Sequence, residues 1–369
     1  MSIRSYVIVP CVLVIGVFLL RVLLPYKAEP GLLSIAPVKE WVQPGRFINY
    51  HGWGIFYRDS IGDQIFAQEA PSKVASQPVV LFLHGYPTFS YDFNGLYADL
   101  SEAGYHVVAL DFLGFGVSDK PNDIDYSMHL QADIVEAVLQ SVFEERRMYG
   151  WDTAESSTGT EIQIIAHDMG DSVGQELLAR WLESRKSPSK ATASYNIKSV
   201  VLFNGGLFPE THKPRAAQLL LLSKATGPIA SRIFTFNLFS QSFQEVFGPR
   251  TKLSFDELFL YWQCLVYKNG ISSMHLLQQY MTDRIKHRER WVGALVNSSL
   301  LIPIRLINGP YDPVSGRHMV ARYEQLIPQS GRNVVVLGAE VGHYPQLEDP
   351  INVKKHVLEF LSANKSNCS

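Results

Sequence analysis

Residues 162–183 constrain the fold of this chain more than any other stretch. Ile162-Gln163-Ile164-Ile165-Ala166 is an apolar run of strand length, and Val173, Leu177, Leu178 and Trp181 follow at helical spacing. A strand that is apolar on both faces belongs in a parallel sheet covered on both sides. Between strand and helix, the small residues Ala166 and Gly170 stand two positions either side of Asp168. That spacing predicts a nucleophile elbow, a sharp turn that pushes one reactive side chain out above the sheet. Here that side chain is a carboxylate, and the helix N-terminus behind it favours its charge. By itself Asp168 suits a helix cap equally well.

The rest of the chain repeats the alternation. Residues 46–52 and 54–59 read as a hairpin, and 79–83, 106–111, 197–203, 302–309 and 333–337 as further strands. Helices are expected near 91–103, 128–143, 172–183, 318–326 and 352–361. The polar runs 144–161 and 184–194 read as surface loops. Such alternation means a mostly parallel, doubly wound α/β sheet, eight-stranded in this pattern. It stops from 207 to 292, a stretch rich in Leu, Phe, Gln and Trp that reads as a helical cap inserted after the sixth strand. The expected organisation is an N-terminal membrane anchor (1–26), a proline-bearing linker (27–45), core (46–206), cap (207–292), core again (293–363) and a short tail (364–369).

The anchor rests on residues 5–20, which carry no charge. Sixteen helical residues span about 24 Å, enough for a bilayer if Arg21 snorkels and the helix runs on to Leu24. No small-residue cleavage site follows the run, which favours an anchor over a removed signal. Net charge is −2, which gives no nucleic-acid surface. Cys11, Cys264 and Cys368 are too scattered for a disulfide framework or a zinc site, and no phosphate-cradling glycine motif is present, so no cofactor is expected.

Three chemistry-bearing residues fall at strand ends in one order. Asp168 follows the fifth strand, Asp312 the seventh, and His343 the eighth. Nucleophile, acid, histidine is the chain order of an α/β-hydrolase triad, and carboxyl ends of parallel strands are where such sheets place their sites. Singly, Asp312 suits a turn before Pro313, and His343 an ordinary loop position. His84-Gly85-Tyr86-Pro87 ends the third strand, and the amides of Tyr86 and Met169 are the expected oxyanion hole. Asn297, Asn364 and Asn367 each begin a glycosylation acceptor triplet.

These motifs, with Asp111-Phe112-Leu113-Gly114-Phe115-Gly116-Val117-Ser118-Asp119-Lys120-Pro121, resemble the epoxide hydrolase and haloalkane dehalogenase branch of the α/β-hydrolases. The resemblance extends from about Phe47 to Leu361. It is most specific at Asn204-Gly205-Gly206-Leu207-Phe208-Pro209-Glu210-Thr211-His212, Arg290-Trp291-Val292-Gly293-Ala294-Leu295 and Tyr344-Pro345-Gln346-Leu347-Glu348-Asp349-Pro350, which resemble a membrane-associated part of the superfamily. It implies an endoplasmic reticulum membrane location and does not settle a substrate; the expected partner is a small apolar or lipid-like molecule. It also implies attack by Asp168 on an sp³ carbon, then hydrolysis of the resulting ester by water that His343 activates. Two departures stand out. Met169 occupies the place where dehalogenases commonly carry a halide-binding Trp. Of the two cap tyrosines of epoxide hydrolases, Tyr280 resembles one, while the early cap offers Phe234, Phe236 and Phe239, and only Tyr261 and Tyr267 later. Three functions follow: an epoxide-hydrolase-like enzyme, a non-catalytic hydrolase fold that binds or scaffolds, or a lipid esterase or acyltransferase.

Overall fold

Eight strands form one sheet in the order β1-β2-β4-β3-β5-β6-β7-β8. They are β1 Arg46–Tyr50, β2 Trp53–Asp59, β3 Val79–Leu83, β4 His106–Leu110, β5 Thr160–Ala166, β6 Tyr195–Leu202, β7 Ile304–Asn308 and β8 Val334–Val336. The computed structural model describes residues 35–67, 78–149, 160–186 and 194–364. The anchor at 1–26, the first part of the linker (27–34), the middle of the 144–161 run and Asn367 lie outside them. Among the described residues no helix is long and apolar enough to cross a membrane.

The β1–β2 and β2–β4 pairs are antiparallel, and the rest of the sheet is parallel. Val79–Leu83 and His106–Leu110 are buried at every position, as a strand covered on both faces must be. Helices α1 Ala36–Val42, α2 Ser60–Phe66, α3 Asn94–Glu102, α4 Met128–Met148 and α5 Met169–Lys186 belong to the first part of the core. Helices α6 Ala216–Leu222, α7 Gly227–Ile233, α8 Phe236–Gln244, α9 Phe255–Val266, α10 Gln279–Lys286 and α11 Arg288–Ser298 follow β6 without an intervening strand. Helices α12 Arg317–Leu326, α13 Pro345–Glu348 and α14 Pro350–Ala363 complete the core after β7.

Several boundaries differ from the sequence expectation. The linker holds a helix, α1, because Pro37 sits in the first turn, where its missing N–H costs nothing. Val38 and Trp41 of that helix are buried, and Trp41 Nε1 donates to Ser90 Oγ at 3.0 Å. Helix α2 has no counterpart in the sequence reading. The Asp59 carboxylate starts it by accepting from the Ile61 and Gly62 amides at 3.0 and 2.8 Å. Helix α4 runs five residues past Phe143, since Arg146 stays buried against His106 at 3.2 Å. The 144–161 run therefore begins as helix and ends as strand at Thr160–Glu161. Likewise α5 starts at Met169 and continues through Lys186, inside the expected loop.

Candidate active site

The β5–α5 turn holds Asp168 at φ 49°, a left-handed conformation uncommon for a residue with a side chain. The surroundings leave no alternative to small neighbours. A Cβ on Gly170 would stand 2.2 Å from the Leu83 carbonyl oxygen, and one on Gly85 would stand 2.9 Å from Asp168 Cβ. The turn thus packs directly on the end of β3, which also brings Tyr86 into place. The Tyr86 amide donates to Asp168 Oδ2 at 3.0 Å. Met169, the other expected oxyanion-hole residue, is the buried first residue of α5.

His343 Nδ1 is hydrogen-bonded to Asp312 Oδ2 at 2.7 Å, and its Nε2 stands 4.0 Å from Asp168 Oδ1. The three residues expected from strand order therefore meet. Asp312 also accepts from the Val314 amide at 2.7 Å, the Ser315 hydroxyl at 2.8 Å and Asn204 Nδ2 at 2.9 Å. Burial opposes its ionisation, but the His343 charge and these donors hold the Asp312 carboxyl well below the usual carboxylate range. For His343, burial alone would lower the pKa. The Asp312 charge and hydrogen bond, joined by the Asp168 charge, instead lift it to about 9. Asp168 is likewise buried, yet the charges of His343 and Arg284 and the Tyr86 amide keep its pKa below the ordinary value.

Arg284 is a residue the sequence reading missed. From α10 its Nη2 donates to the Asp168 carbonyl at 2.8 Å, and its Nε to Ser172 Oγ at 2.7 Å. The guanidinium also lies 4.6 Å from the centre of the Tyr280 ring. The available signal was spacing: Arg284 follows Tyr280 by one helical turn, so both face the nucleophile. Asn204 and Tyr344 lie in quoted motifs, but their contacts required the fold.

The pocket above Asp168 and His343 holds about 80 Å³ of free space and is predominantly apolar. Phe234 and Phe239 stand on its cap-side wall and Tyr344 on its core side. Tyr280 is fully buried beside two lining residues, its ring 5.9 Å from that of Tyr86 and its hydroxyl accepting from Gln218 Nε2 at 2.9 Å. Tyr344 donates to the Tyr86 carbonyl at 3.2 Å. Tyr261 is hydrogen-bonded to Asp92 instead, and Tyr267 lies against Lys120. Among the described residues no cluster of His, Cys, Asp and Glu is arranged to hold a metal ion. Asn297 is exposed on α11, while Asn364 Nδ2 donates to the Phe360 carbonyl at 2.7 Å.

A carboxylate at a strained elbow, on an eight-stranded sheet with an inserted cap, defines an α/β hydrolase, and residues 80–354 match the alpha/beta hydrolase family; the chain belongs to it. Over 351 residues it is 37% identical to the mesoderm-specific transcript homolog protein of Homo sapiens, covering 95% of each chain. It is 34% identical over 324 residues to the putative hydrolase LipZ of Mycobacterium tuberculosis, covering 88% of this chain and 98% of that one. The fold is shared with the haloalkane dehalogenase DatA from Agrobacterium tumefaciens, with a TM-score of 0.61, 18% identity, and coverage of 86% and 96%.

Proposed function

We propose that the chain is a hydrolase of the epoxide-hydrolase type, with Asp168 as nucleophile, His343 as base and Asp312 as its partner. One observation carries this reading. The Asp168 carboxylate sits at the elbow, low in pKa, with Oδ2 on the Tyr86 amide and Oδ1 4.0 Å from His343 Nε2. A serine-type nucleophile needs a direct hydrogen bond to its histidine for activation. An ionised carboxylate needs none, and the wider gap suits a water between the two.

In the first step Asp168 Oδ1 attacks an sp³ carbon of the strained ring. The carbon–oxygen bond breaks, and the departing oxygen takes a proton from a hydroxyl, with Tyr280 and Tyr344 the candidates. The product is an alkyl ester on Asp168. Esterification removes one of the carboxylate charges that raise the His343 pKa, so the imidazolium passes its proton back to the hydroxyl that protonated the departing oxygen and becomes a competent base only then. It takes a proton from water, and the hydroxide attacks the ester carbonyl carbon. The Tyr86 and Met169 amides hold the resulting oxyanion. On collapse the imidazolium gives the proton it took from water to the departing alkoxide, releasing the alcohol, and the imidazole takes up the carboxyl proton, which regenerates the Asp168 carboxylate.

Met169 supplies no N–H side-chain donor for a halide, which argues against dehalogenation. Anchoring through residues 5–24, an endoplasmic reticulum membrane location and glycosylation at Asn297, Asn364 or Asn367 belong to the same proposal and rest on the sequence. The reading is tested by exposing the purified full chain to panels of epoxides, esters and lactones. Turnover of epoxides, abolished in Asp168→Ala, is the expected result. Ester turnover that survives Asp168→Ala would overturn it.

A further inference from the structure

The cap's first helices carry charge of one sign. From Thr211 to Gln244 the chain has Lys213, Arg215, Lys224 and Arg232, and no Asp or Glu. Arg215 is paired with Glu245. Lys213, Lys224 and Arg232 are exposed and, among the described residues, make no ion pair. The same stretch exposes large aliphatic side chains. Leu219 and Leu220 on α6, Ile229 on α7 and Leu238 on α8 are 43% to 53% exposed. Phe255, at the start of α9, is 66% exposed and packs its ring 5.4 Å from that of Phe236.

These residues occupy the outer side of the pocket's lid. Helix α6 turns Gln218 and Leu221 to the pocket, and α8 turns Phe239 and Phe243 to it. Leu219, Leu220 and Leu238 are exposed on the same helices, with Leu219 turned furthest from the pocket and Leu220 and Leu238 on the flanks. A soluble surface seldom gathers exposed leucines in one place without a partner. Leucines flanked by unpaired lysine and arginine, with no acidic residue between Thr211 and Gln244, match the composition of helices that lie in a lipid interface.

We propose that the outer face of α6, α7 and α8 docks on an anionic phospholipid surface. The leucines enter the headgroup boundary, and Lys213, Lys224 and Arg232 meet lipid phosphates and carboxylates. This surface is separate from the chemistry at Asp168 and from the N-terminal apolar run, so it stands or falls apart from both.

The test uses the full chain reconstituted in vesicles, with Cys11 and Cys368 replaced by Ser and the buried Cys264 retained. An environment-sensitive fluorophore is attached at Leu220→Cys, at Leu238→Cys, or at Lys186→Cys as control. Lys186 is the exposed last residue of α5, at the far end of that helix from the elbow. In vesicles of phosphatidylcholine with phosphatidylserine, labels at 220 and 238 should shift to the blue and be quenched by nitroxide-bearing lipids; the label at 186 should not. Substituting Lys213, Lys224 and Arg232 by Gln should weaken docking roughly 100-fold, about 5-fold for each charge. Labels at 220 and 238 quenched no more than at 186 would overturn the proposal. Quenching indifferent to phosphatidylserine would overturn the anionic assignment. A blue shift that follows protein concentration without lipid would assign the face to a second copy of the chain.

Discussion

Arg284 of the cap grips the backbone of Asp168: Nη2 donates to the Asp168 carbonyl at 2.8 Å and lies 3.5 Å from Oδ1. The side chain is 2% exposed, so this cation acts in a medium where its field is weakly screened. The cap therefore does more than roof the pocket. It fixes the strained turn and helps keep the nucleophile ionised.

Removing that grip should be measurable in the pH profile. Arg284→Met keeps the volume but loses the charge and both hydrogen bonds. Hydrogen bonds to charged groups contribute about 1.5–3 kcal/mol, so kcat/KM on an active substrate should fall roughly 10- to 100-fold. The acid limb of the profile should also move to higher pH, because Asp168 loses one of the charges that lower its pKa. Arg284→Lys should restore the limb in part. A loss of rate with an unmoved limb would make Arg284 a packing residue only.

The His343 imidazole should respond to the charge on Asp168. Its pKa is raised to about 9 from the ordinary 6.5, with Asp168 among the causes. Asp168→Asn imitates the neutral ester, so the imidazole titration followed by NMR should move down. Because the folded pKa is the raised one, His343 contributes stability that is complete below about pH 6.5 and lost as pH rises through about 9. Asp168→Asn should shrink that alkaline loss. An unchanged titration would contradict the charge coupling on which the second step depends.

Much of this site was legible before the fold was. Asp168, Asp312 and His343 each follow a strand with a strong apolar run, and the ends of parallel strands converge on one edge. Boundaries were lost where tertiary contacts overrode local signals. Polar composition at residues 144–148 concealed helix, because Arg146 is buried against His106. Two prolines in the first turn and just past the end of α1 read as linker, although Val38 and Trp41 bury one face. Arg284 was hidden for a different reason. A cation on an amphipathic helix ordinarily faces solvent, and only the cap's placement over α5 turns this one inward.

Glu176 ties the returning cap helix to the core. From α5 it accepts from Arg180 Nε at 3.0 Å, Arg290 Nε at 2.8 Å and Trp291 Nε1 at 2.8 Å. Burial opposes its ionisation, yet these donors bring its pKa to about 2 from 4.5. Glu176→Ala leaves two guanidiniums without their shared partner and should cost roughly 3 kcal/mol in denaturant unfolding at neutral pH. The folded pKa is depressed, so this contribution is present above about pH 4.5 and fades as pH falls toward about 2. Wild type and variant should converge in that acid range.

Asp92 should act in the opposite sense. Burial raises its pKa to about 8, against hydrogen bonds from Thr88 and Tyr261, with Asp111 and His343 as its charged neighbours. The folded chain holds this proton between the ordinary pKa of 3.8 and about 8, while the unfolded chain releases it. Stability from this residue therefore falls as pH rises across that window. Asp92→Asn should have a melting temperature that gains on the wild type steadily from acid to pH 8. A constant offset would mean that Asp92 is ionised in the fold.

The central claim is that substrate is joined to Asp168 and released by water attack on the ester carbonyl. Once the substrate panel supplies an active compound, multiple turnovers of the wild-type chain in heavy-oxygen water test it most directly. Water that attacks the Asp168 ester leaves one of its oxygens in the regenerated carboxylate. Peptide mass spectrometry should find heavy oxygen in the peptide carrying Asp168, and His343→Ala should retain the substrate's mass on that same peptide. Sustained turnover with neither label nor adduct on Asp168 would contradict the account.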